Sequence, residues 1–439
     1  MGSTRIVSKD PARLGRVLAA DWRFLLGAFV VAKVVVTGLI YFASVAMELM
    51  WIKTGQSPPL DWPMRIPTGG PDQIDLVNIW FRFDSSHYLD TAGIDFLAPL
   101  TGEEQQMMAA AQDPNGFGPI TPSLRRFTFA PMLPALTKIF LAMGIEPHIA
   151  MLIVVNLAFA LVILFCQALA TQVLATRSSG SFGHLDHLKA RKITAIMLLA
   201  PVSFLFQGAL TEGLFVLFML ASLYFALRNH WVAAGLMGAG LALTRSTGFS
   251  IALPLGLILL SNHGWRFNSG KAWIAWLKAL PFVALPGIAW FGFMLYCRQL
   301  TGDLFAYTHL QRYAWTVNAE NPITSWLFYT APERTLLDLN TVRTWVVLAL
   351  VLLVLAGIRV MPLGFTVMGL GLLLAPLTAG EPWPRSIFRY FAVVFPLWFS
   401  FGWFTRRFPS WEPAVLGTMA ALQGIFIVGW TYPMTILIV

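Results

Sequence analysis

Phe129-Ala130-Pro131-Met132-Leu133-Pro134-Ala135-Leu136-Thr137-Lys138-Ile139-Phe140-Leu141-Ala142-Met143-Gly144-Ile145 is apolar enough to pass for a membrane span. Whether it crosses decides the topology of everything that follows it. It belongs to a chain of 439 residues that is 57% hydrophobic and only 12% charged, with a mean hydropathy of +0.68. That is about half the charge content of soluble domains, so the composition points to a polytopic membrane protein. Apolar runs near the ~20-residue length of a spanning helix fall at 24–48, 147–175, 193–209, 211–227, 230–261, 279–297, 343–358, 361–379, 386–404 and 413–436. The run 230–261 is too long for one helix and is interrupted at Leu243-Thr244-Arg245-Ser246-Thr247-Gly248. It reads as two short helices, which makes an all-α fold of about eleven transmembrane helices, some needing tilt or local thinning of the bilayer.

Basic residues orient the chain, because Lys and Arg concentrate in cytoplasmic loops. Arg5, Lys9, Arg13, Arg16 and Arg23 place the N-terminus in the cytoplasm, so the loop 49–146 lies outside. Arg177, Lys189, Arg191 and Lys192 mark the next inner loop, leaving room for one crossing between the two. Counting 129–145 as a span would turn that basic loop outward. The segment is short and carries Pro131, Pro134 and Lys138, so it reads as an interfacial or re-entrant helix in the outer loop. Arg228, then Arg266, Lys271 and Lys278, then Arg359, then Arg406 and Arg407 fall inside, provided that 230–261 goes out and back. The outer face receives the loop 49–146, the turn Thr211-Glu212, the second large loop 298–342 and the turn 380–385. No repeat, linker or soluble domain interrupts residues 1–439, which form one membrane domain.

The net charge of +9 is accounted for by these inner loops and by contact with anionic membrane lipids. Nucleic acid is not an expected partner, since no basic domain interleaved with aromatics is present. Cys166 and Cys297 make neither a disulfide framework nor a metal spacing. The first apolar run, beginning near Phe24, lacks a small-residue cleavage site and is expected to stay as an anchor.

Four polar constellations share the outer side. The first is Arg82, Asp84, His87 and Asp90, within Trp80-Phe81-Arg82-Phe83-Asp84-Ser85-Ser86-His87-Tyr88. A carboxylate among aromatics near lipid is desolvated, which raises its pKa toward the range of a general base. Against this stands a plain capping role for Asp84 ahead of a helix beginning at Ser85. The second is Glu212, either a helix-dipole partner at a first turn or a contact to a substrate hydroxyl. The third is Arg245 in the helix break, suited to a phosphate beside a helix N-terminus or to snorkelling toward a headgroup. The fourth is Arg385-Ser386-Ile387-Phe388-Arg389-Tyr390. Arg385 and Arg389, one turn apart, suit a phosphate or pyrophosphate, or else an interfacial belt with Trp383 and Tyr390. Tyr307, His309, Gln311, Arg312 and Trp315 follow Gly302-Asp303-Leu304-Phe305-Ala306, and these amphipathic aromatics with polar tips suit a sugar or an interfacial anchor. P-loop, GxGxxG, HExxH and GxSxG motifs are absent. His184 and His187, three apart on the inner side, have only Asp186 beside them and make a poor metal site.

Taken in order, these segments resemble the GPI mannosyltransferase 2 (PIG-V) family and its bacterial relatives, in the GT-C superfamily of polytopic glycosyltransferases. The family's Trp-Asp-x-x-His/Trp-Phe/Tyr motif is similar to Phe83-Asp84-Ser85-Ser86-His87-Tyr88, and its Phe-Phe-Pro-x-x-Pro to Phe129-Ala130-Pro131-Met132-Leu133-Pro134. Its Ser/Thr-Glu-Ser-Leu-Phe segment resembles Thr211-Glu212-Gly213-Leu214-Phe215. Its Ala-Gly-Leu…Leu-Thr-Arg-x-x-Gly stretch resembles Ala234-Gly235-Leu236 followed by Leu243-Thr244-Arg245-Ser246-Thr247-Gly248. Gly302-Asp303-Leu304-Phe305-Ala306-Tyr307 and Ser386-Ile387-Phe388-Arg389-Tyr390 with Phe395-Pro396 complete the match. Phe83 departs from the usual Trp, Gly213 from a hydroxyl residue, and residues 96–126 are an insertion expected to overhang the site.

The resemblance implies a GT-C-like fold and transfer of mannose, with inversion, from a polyprenyl-phosphate donor to a glycolipid, glycan or protein acceptor. Asp84 would be the general base, and Arg245, Arg385 and Arg389 would hold the phosphate charge, with Arg82, His87, Glu212, Tyr307, His309 and Tyr390 as further substrate contacts. The setting implied is the bacterial plasma membrane, or the endoplasmic reticulum in a eukaryote, with the site on the outer or lumenal side. Some relatives in the superfamily use a divalent ion near the loop acid; no convincing second ligand accompanies Asp84 in the sequence, so a divalent metal stays open as a cofactor and none is assigned. The alternative from another class is a transporter or flippase of a lipid-linked substrate, which many spans and a broken helix would suit. Polar groups gathered on one side, and the lack of a two-fold repeat, argue against it.

Overall fold

The computed structural model describes residues 11–54, 74–177, 184–265, 269–318, 320–329, 339–379 and 387–431, and among these there is no strand. The protein is an all-α membrane protein. Helix α1 (Pro11–Thr54) leads into the first large loop, which carries α2 (Ser85–Gly93), α3 (Gly102–Gln112), α4 (Arg125–Thr128) and α5 (Met132–Leu141). Then come α6 (Pro147–Arg177), α7 (His184–Leu199), α8 (Glu212–Leu227), α9 (Trp231–Ala242), α10 (Ala252–Asn262) and α11 (Gly270–Thr301). The chain continues through α12 (Ala306–Trp315), α13 (Pro322–Tyr329), α14 (Leu339–Ala356), α15 (Leu363–Leu374), α16 (Ile387–Phe391), α17 (Pro396–Arg407) and α18 (Glu412–Thr431).

Five helical stretches among the described residues are long and apolar enough to cross a membrane: Asp21–Met50, Pro147–Ala175, Gly270–Thr301, Thr341–Arg359 and Pro409–Thr431. The remaining apolar segments are shorter helices, so the eleven expected spans are not eleven full-length helices. The run 193–209 is helical only to Leu199 and then turns through a 3-10 segment, Ser203–Gln207. The run 386–404 is divided between α16 and α17, with Pro396 in the first turn of α17, where its missing N–H would have had no helical partner.

The deciding segment 129–145 forms α5, a helix of 10 residues. At 1.5 Å per residue it is ~15 Å long, half of a hydrocarbon core. It is tied to its own loop: the Lys138 ammonium donates to the Ile94 carbonyl at 2.7 Å and lies 5.0 Å from the Phe96 ring centroid. Its first turn docks on the break in the later helices, where Met132 N donates to Leu243 O at 2.9 Å.

At the centre is α8, whose residues are almost all buried and which packs on α6 and α9. The pairing of α9 with α11 shows why the chain needs a glycine at 235. Pro286 lies inside α11 and has no N–H for the carbonyl four residues earlier, that of Phe282. Gly235 packs against that freed carbonyl so closely that a Cβ would stand 2.5 Å from its oxygen. Outward, Val30, Val34, Leu39 and Phe42 of α1 and Ile274, Leu277, Ile288 and Phe291 of α11 are exposed, the apolar surface that a membrane protein turns to lipid. At the end opposite the site, Arg191 donates from Nε and Nη2 to Asp21 Oδ1 (2.8 and 2.5 Å), Gln167 donates to Asp21 Oδ2 (2.8 Å) and Thr194 donates to Gln167 (2.8 Å). This network fastens α1, α6 and α7 together.

Candidate active site

The loop residue Asp84 is aimed by its two neighbours. Phe83 adopts a left-handed backbone, φ 53°, uncommon for a bulky residue and found where surrounding structure enforces it. The Phe83 ring is fixed edge-on against Trp430 at 5.3 Å between centroids. Ser85 closes the turn, its hydroxyl donating to Arg82 O (2.6 Å) and accepting from Arg82 N (3.1 Å). Asp84 occupies the position before α2, yet its side chain makes no capping hydrogen bond. The capping role is thereby set aside.

The carboxylate instead meets a buried cation. Arg389 Nη1 donates to Asp84 Oδ2 at 2.5 Å, and Arg389 Nε donates to Glu212 Oε1. Arg245 Nη1 donates to the same Glu212 oxygen at 3.1 Å, and its guanidinium lies 5.2 Å from the Tyr390 ring centroid. Glu212 is fully buried at the first turn of α8, Arg389 is nearly so, and Asp84 keeps 29% of its side chain exposed. Four elements thus contribute to one chain of alternating charge, Asp84–Arg389–Glu212–Arg245, whose formal charge sums to zero. The Arg245 backbone is extended (φ −153°, ψ 144°) between α9 and the 3-10 segment Ser246–Ile251. The break in the run 230–261 therefore delivers this side chain.

Burial alone would raise the Asp84 pKa. The charge and hydrogen bond of Arg389, with the charges of His87 and Arg245, outweigh it and hold the carboxyl below its ordinary value. This corrects the expectation of a raised pKa, which counted the desolvation and not a cation 305 residues further along the chain. Oδ2 is engaged by Arg389, and Oδ1 has no hydrogen-bond partner among the described residues.

His87 stands beside Asp84, its ring 5.4 Å from Phe129 and 6.0 Å from Trp315 between centroids. Burial and then the Arg125 charge lower its pKa against the pull of Asp84 and Asp90, which favours the neutral imidazole. Asp90 itself is paired with Arg125 at 2.5 Å. Tyr307 donates to Ser246 Oγ at 3.1 Å, next to Arg245. The other expected residues do not join. Arg82 is buried and donates to the neighbouring Phe81 carbonyl at 3.1 Å. His309 is held by Asp303 at 2.6 Å and lies two residues from Tyr307 on α12, a spacing that points side chains apart. Arg385 lies outside the described residues.

Arg125 escaped the sequence reading, whereas Trp315 was among the outer-loop residues expected to suit a sugar or an interfacial anchor and Tyr88 closes the Asp84 segment. Trp315 arrives from α12, which is fastened over the inserted loop by Gln311 donating to Thr128 O (2.6 Å) and Arg312 to Ala111 O (2.8 Å). Tyr88 is buried edge-on against Phe129, with a phenol pKa raised first by burial and then by Asp84.

No protein-family model and no curated protein matches this chain. The chemistry is therefore argued from the residues that meet. Among the described residues no group of three His, Cys, Asp or Glu could hold a metal ion. The surroundings of Asp84 do not fit a divalent cation either, since the Arg389 guanidinium stands between Asp84 and Glu212 and hydrogen-bonds to both. What the arrangement offers is an ionised carboxylate with one open oxygen, an aromatic wall and two guanidiniums in a half-buried mouth.

Proposed function

We propose that the chain is an inverting glycosyltransferase of GT-C type, moving a sugar, by family resemblance mannose, from a polyprenyl phosphate to a hydroxyl acceptor on the outer or lumenal face. The observation that carries this reading is the convergence on Asp84 of Arg389, Glu212 and Arg245 from separate elements. The resemblance named the same residues in sequence order. Asp84 Oδ1 accepts the proton of the acceptor hydroxyl as that oxygen attacks the anomeric carbon from the face opposite the leaving group. The bond from that carbon to the phosphate oxygen breaks, and its electron pair departs on the lipid phosphate. No covalent sugar–enzyme intermediate is needed. The low pKa of Asp84 keeps it ionised and ready to accept, at the expense of basicity. The positive ends of Arg245 and Arg389 not used on Glu212 and Asp84 favour the developing phosphate charge.

His87, Phe129 and Trp315 suit the apolar faces of a sugar, and Tyr307 and Tyr390 line the side nearer Arg245. The glycolipid, glycan or protein acceptor is held beneath the insertion 96–126. Purified protein incubated with polyprenyl-phosphate mannose and a panel of acceptors, read by mass spectrometry, tests the reading. A new glycosidic product is expected from the native chain and is lost in Asp84→Asn with folding intact. Full activity of that variant, or sugar crossing the membrane with no new bond, overturns it.

A further inference from the structure

Lys33 stands inside the candidate span Asp21–Met50 of α1. Its Nζ is buried and has no hydrogen-bond partner among the described residues; its neighbour is the Trp80 indole, 3.8 Å away at the centroid. An ammonium at membrane depth is costly and is ordinarily met by an anion, a carbonyl or water. The face of one indole supplies part of that and no hydrogen bond. Thr37, one turn further on, has a hydroxyl that is likewise buried and unpartnered, and so does Ser44. Spacings of four and seven residues place all three on the face of α1 that also buries Val36 and Ile40. Buried polar atoms normally find partners, and three on one inward face of one helix point to a polar group that belongs among them.

Lys33 asks for an anion. Asp84 and Glu212, the carboxylates of the candidate site, are already engaged by Arg389 and Arg245, and among the described residues no carboxylate is paired with Lys33. The flanks of the same helix, at Val30, Val31, Val34 and Val35, are exposed apolar surface. These flanks, the surface that lipid would meet in a membrane, adjoin the polar strip.

We propose that Lys33 and Thr37 bind the phosphate of a membrane lipid, with Lys33 as counter-ion and the Thr37 hydroxyl donating to a phosphate oxygen. Ser44, ~16 Å along α1 from Lys33, prolongs the polar strip. Trp80 separates this berth from Asp84, four residues on, so the bound lipid sits behind the loop that carries the candidate base. Two sources share this chemistry: a bulk anionic phospholipid and a polyprenyl phosphate.

The test uses the full chain, stripped of lipid in detergent and titrated separately with phosphatidylglycerol, with polyprenyl phosphate and with diacylglycerol, which has no phosphate. Native mass spectrometry reads the lipid retained. Retention of one or both phosphate lipids, at least tenfold weaker in Lys33→Met and kept in Lys33→Arg, supports the proposal, and the lipid retained identifies the source. Equal retention by Lys33→Met, equal retention of diacylglycerol, or no retention of either phosphate lipid overturns it. Met fills a similar volume without the charge, so the variant should fold. Thr37→Val gives an independent arm, with affinity lowered several-fold if the hydroxyl binds and unchanged if it does not. Binding is read directly, so the outcome is independent of sugar transfer.

Discussion

Arg389 governs the charge state of Asp84, and that can be tested at the residue. A carboxyl with a depressed pKa is ionised above that pKa and loses its base form only as pH falls through it. In the native chain, the acid limb of kcat/KM due to Asp84 should therefore lie below the ordinary aspartate value of about 3.9. Arg389→Gln removes the nearest positive charge and leaves burial, which raises the pKa. Transfer should fall and the acid limb should move to higher pH; an unmoved limb would mean that Arg389 does not control Asp84. His87 gives a contrasting case. Its pKa is already lowered by burial, so substitution by Asn should leave the neutral-pH side of the profile in place while weakening acceptor binding, seen as a raised KM with a smaller change in kcat.

Gly213 shows how a departure from a family pattern is explained by packing. A Cβ there would stand 2.5 Å from the carbonyl oxygen of Phe206, so the first turn of α8 rests directly on the preceding 3-10 segment. Restoring a hydroxyl residue with Gly213→Ser overpacks that contact, at a cost of about 1–3 kcal/mol. The cost should appear as a lower thermal unfolding midpoint in detergent, accompanied by reduced transfer because Glu212 is the adjacent residue.

Between elements, the buried network at the end opposite the site makes a separate prediction. Asp21 is fully buried while Arg191 is one-third exposed, and Gln167 and Thr194 complete the set. Asp21→Ala strands the Arg191 guanidinium and one end of Gln167, and loosens α1 from α6 and α7. Breaking a buried pair by removing one partner costs about 3 kcal/mol at the lower end of the usual range, which fits a partly exposed arginine. Unfolding in detergent should show it, whereas the KM for substrates at the far end should change little. The elements themselves were partly legible in the sequence. Pro131, Pro134 and Lys138 marked α5 as short, and Thr244 to Gly248 marked the break that extends Arg245, because prolines and polar residues interrupt an apolar pattern locally. The division of 386–404 was missed, since a single Pro396 within an apolar run is common in membrane helices.

For the whole molecule, the sequence placed Asp84, Glu212, Arg245 and Arg389 on one side but did not show the pairs they make. Hydropathy and loop charge are sums over neighbouring residues. The partnership of Arg389 with Glu212 and Asp84 joins residues 177 and 305 positions apart, and no local sum contains it. The same limit turned phosphate-seeking arginines into arginines already shared with carboxylates. Orientation rests on loop charge, and two exposed aromatics at opposite ends allow it to be tested. Phe117, in the inserted loop, is 71% exposed, and Trp411, just after Arg406 and Arg407, is 61% exposed. The native thiols Cys166 and Cys297 are both buried and give little background. With a membrane-impermeant maleimide applied to intact cells, Phe117→Cys should label and Trp411→Cys should label only after the membrane is opened. The reverse pattern would put the candidate site on the cytoplasmic face, where a donor presented on the outer side cannot reach Asp84.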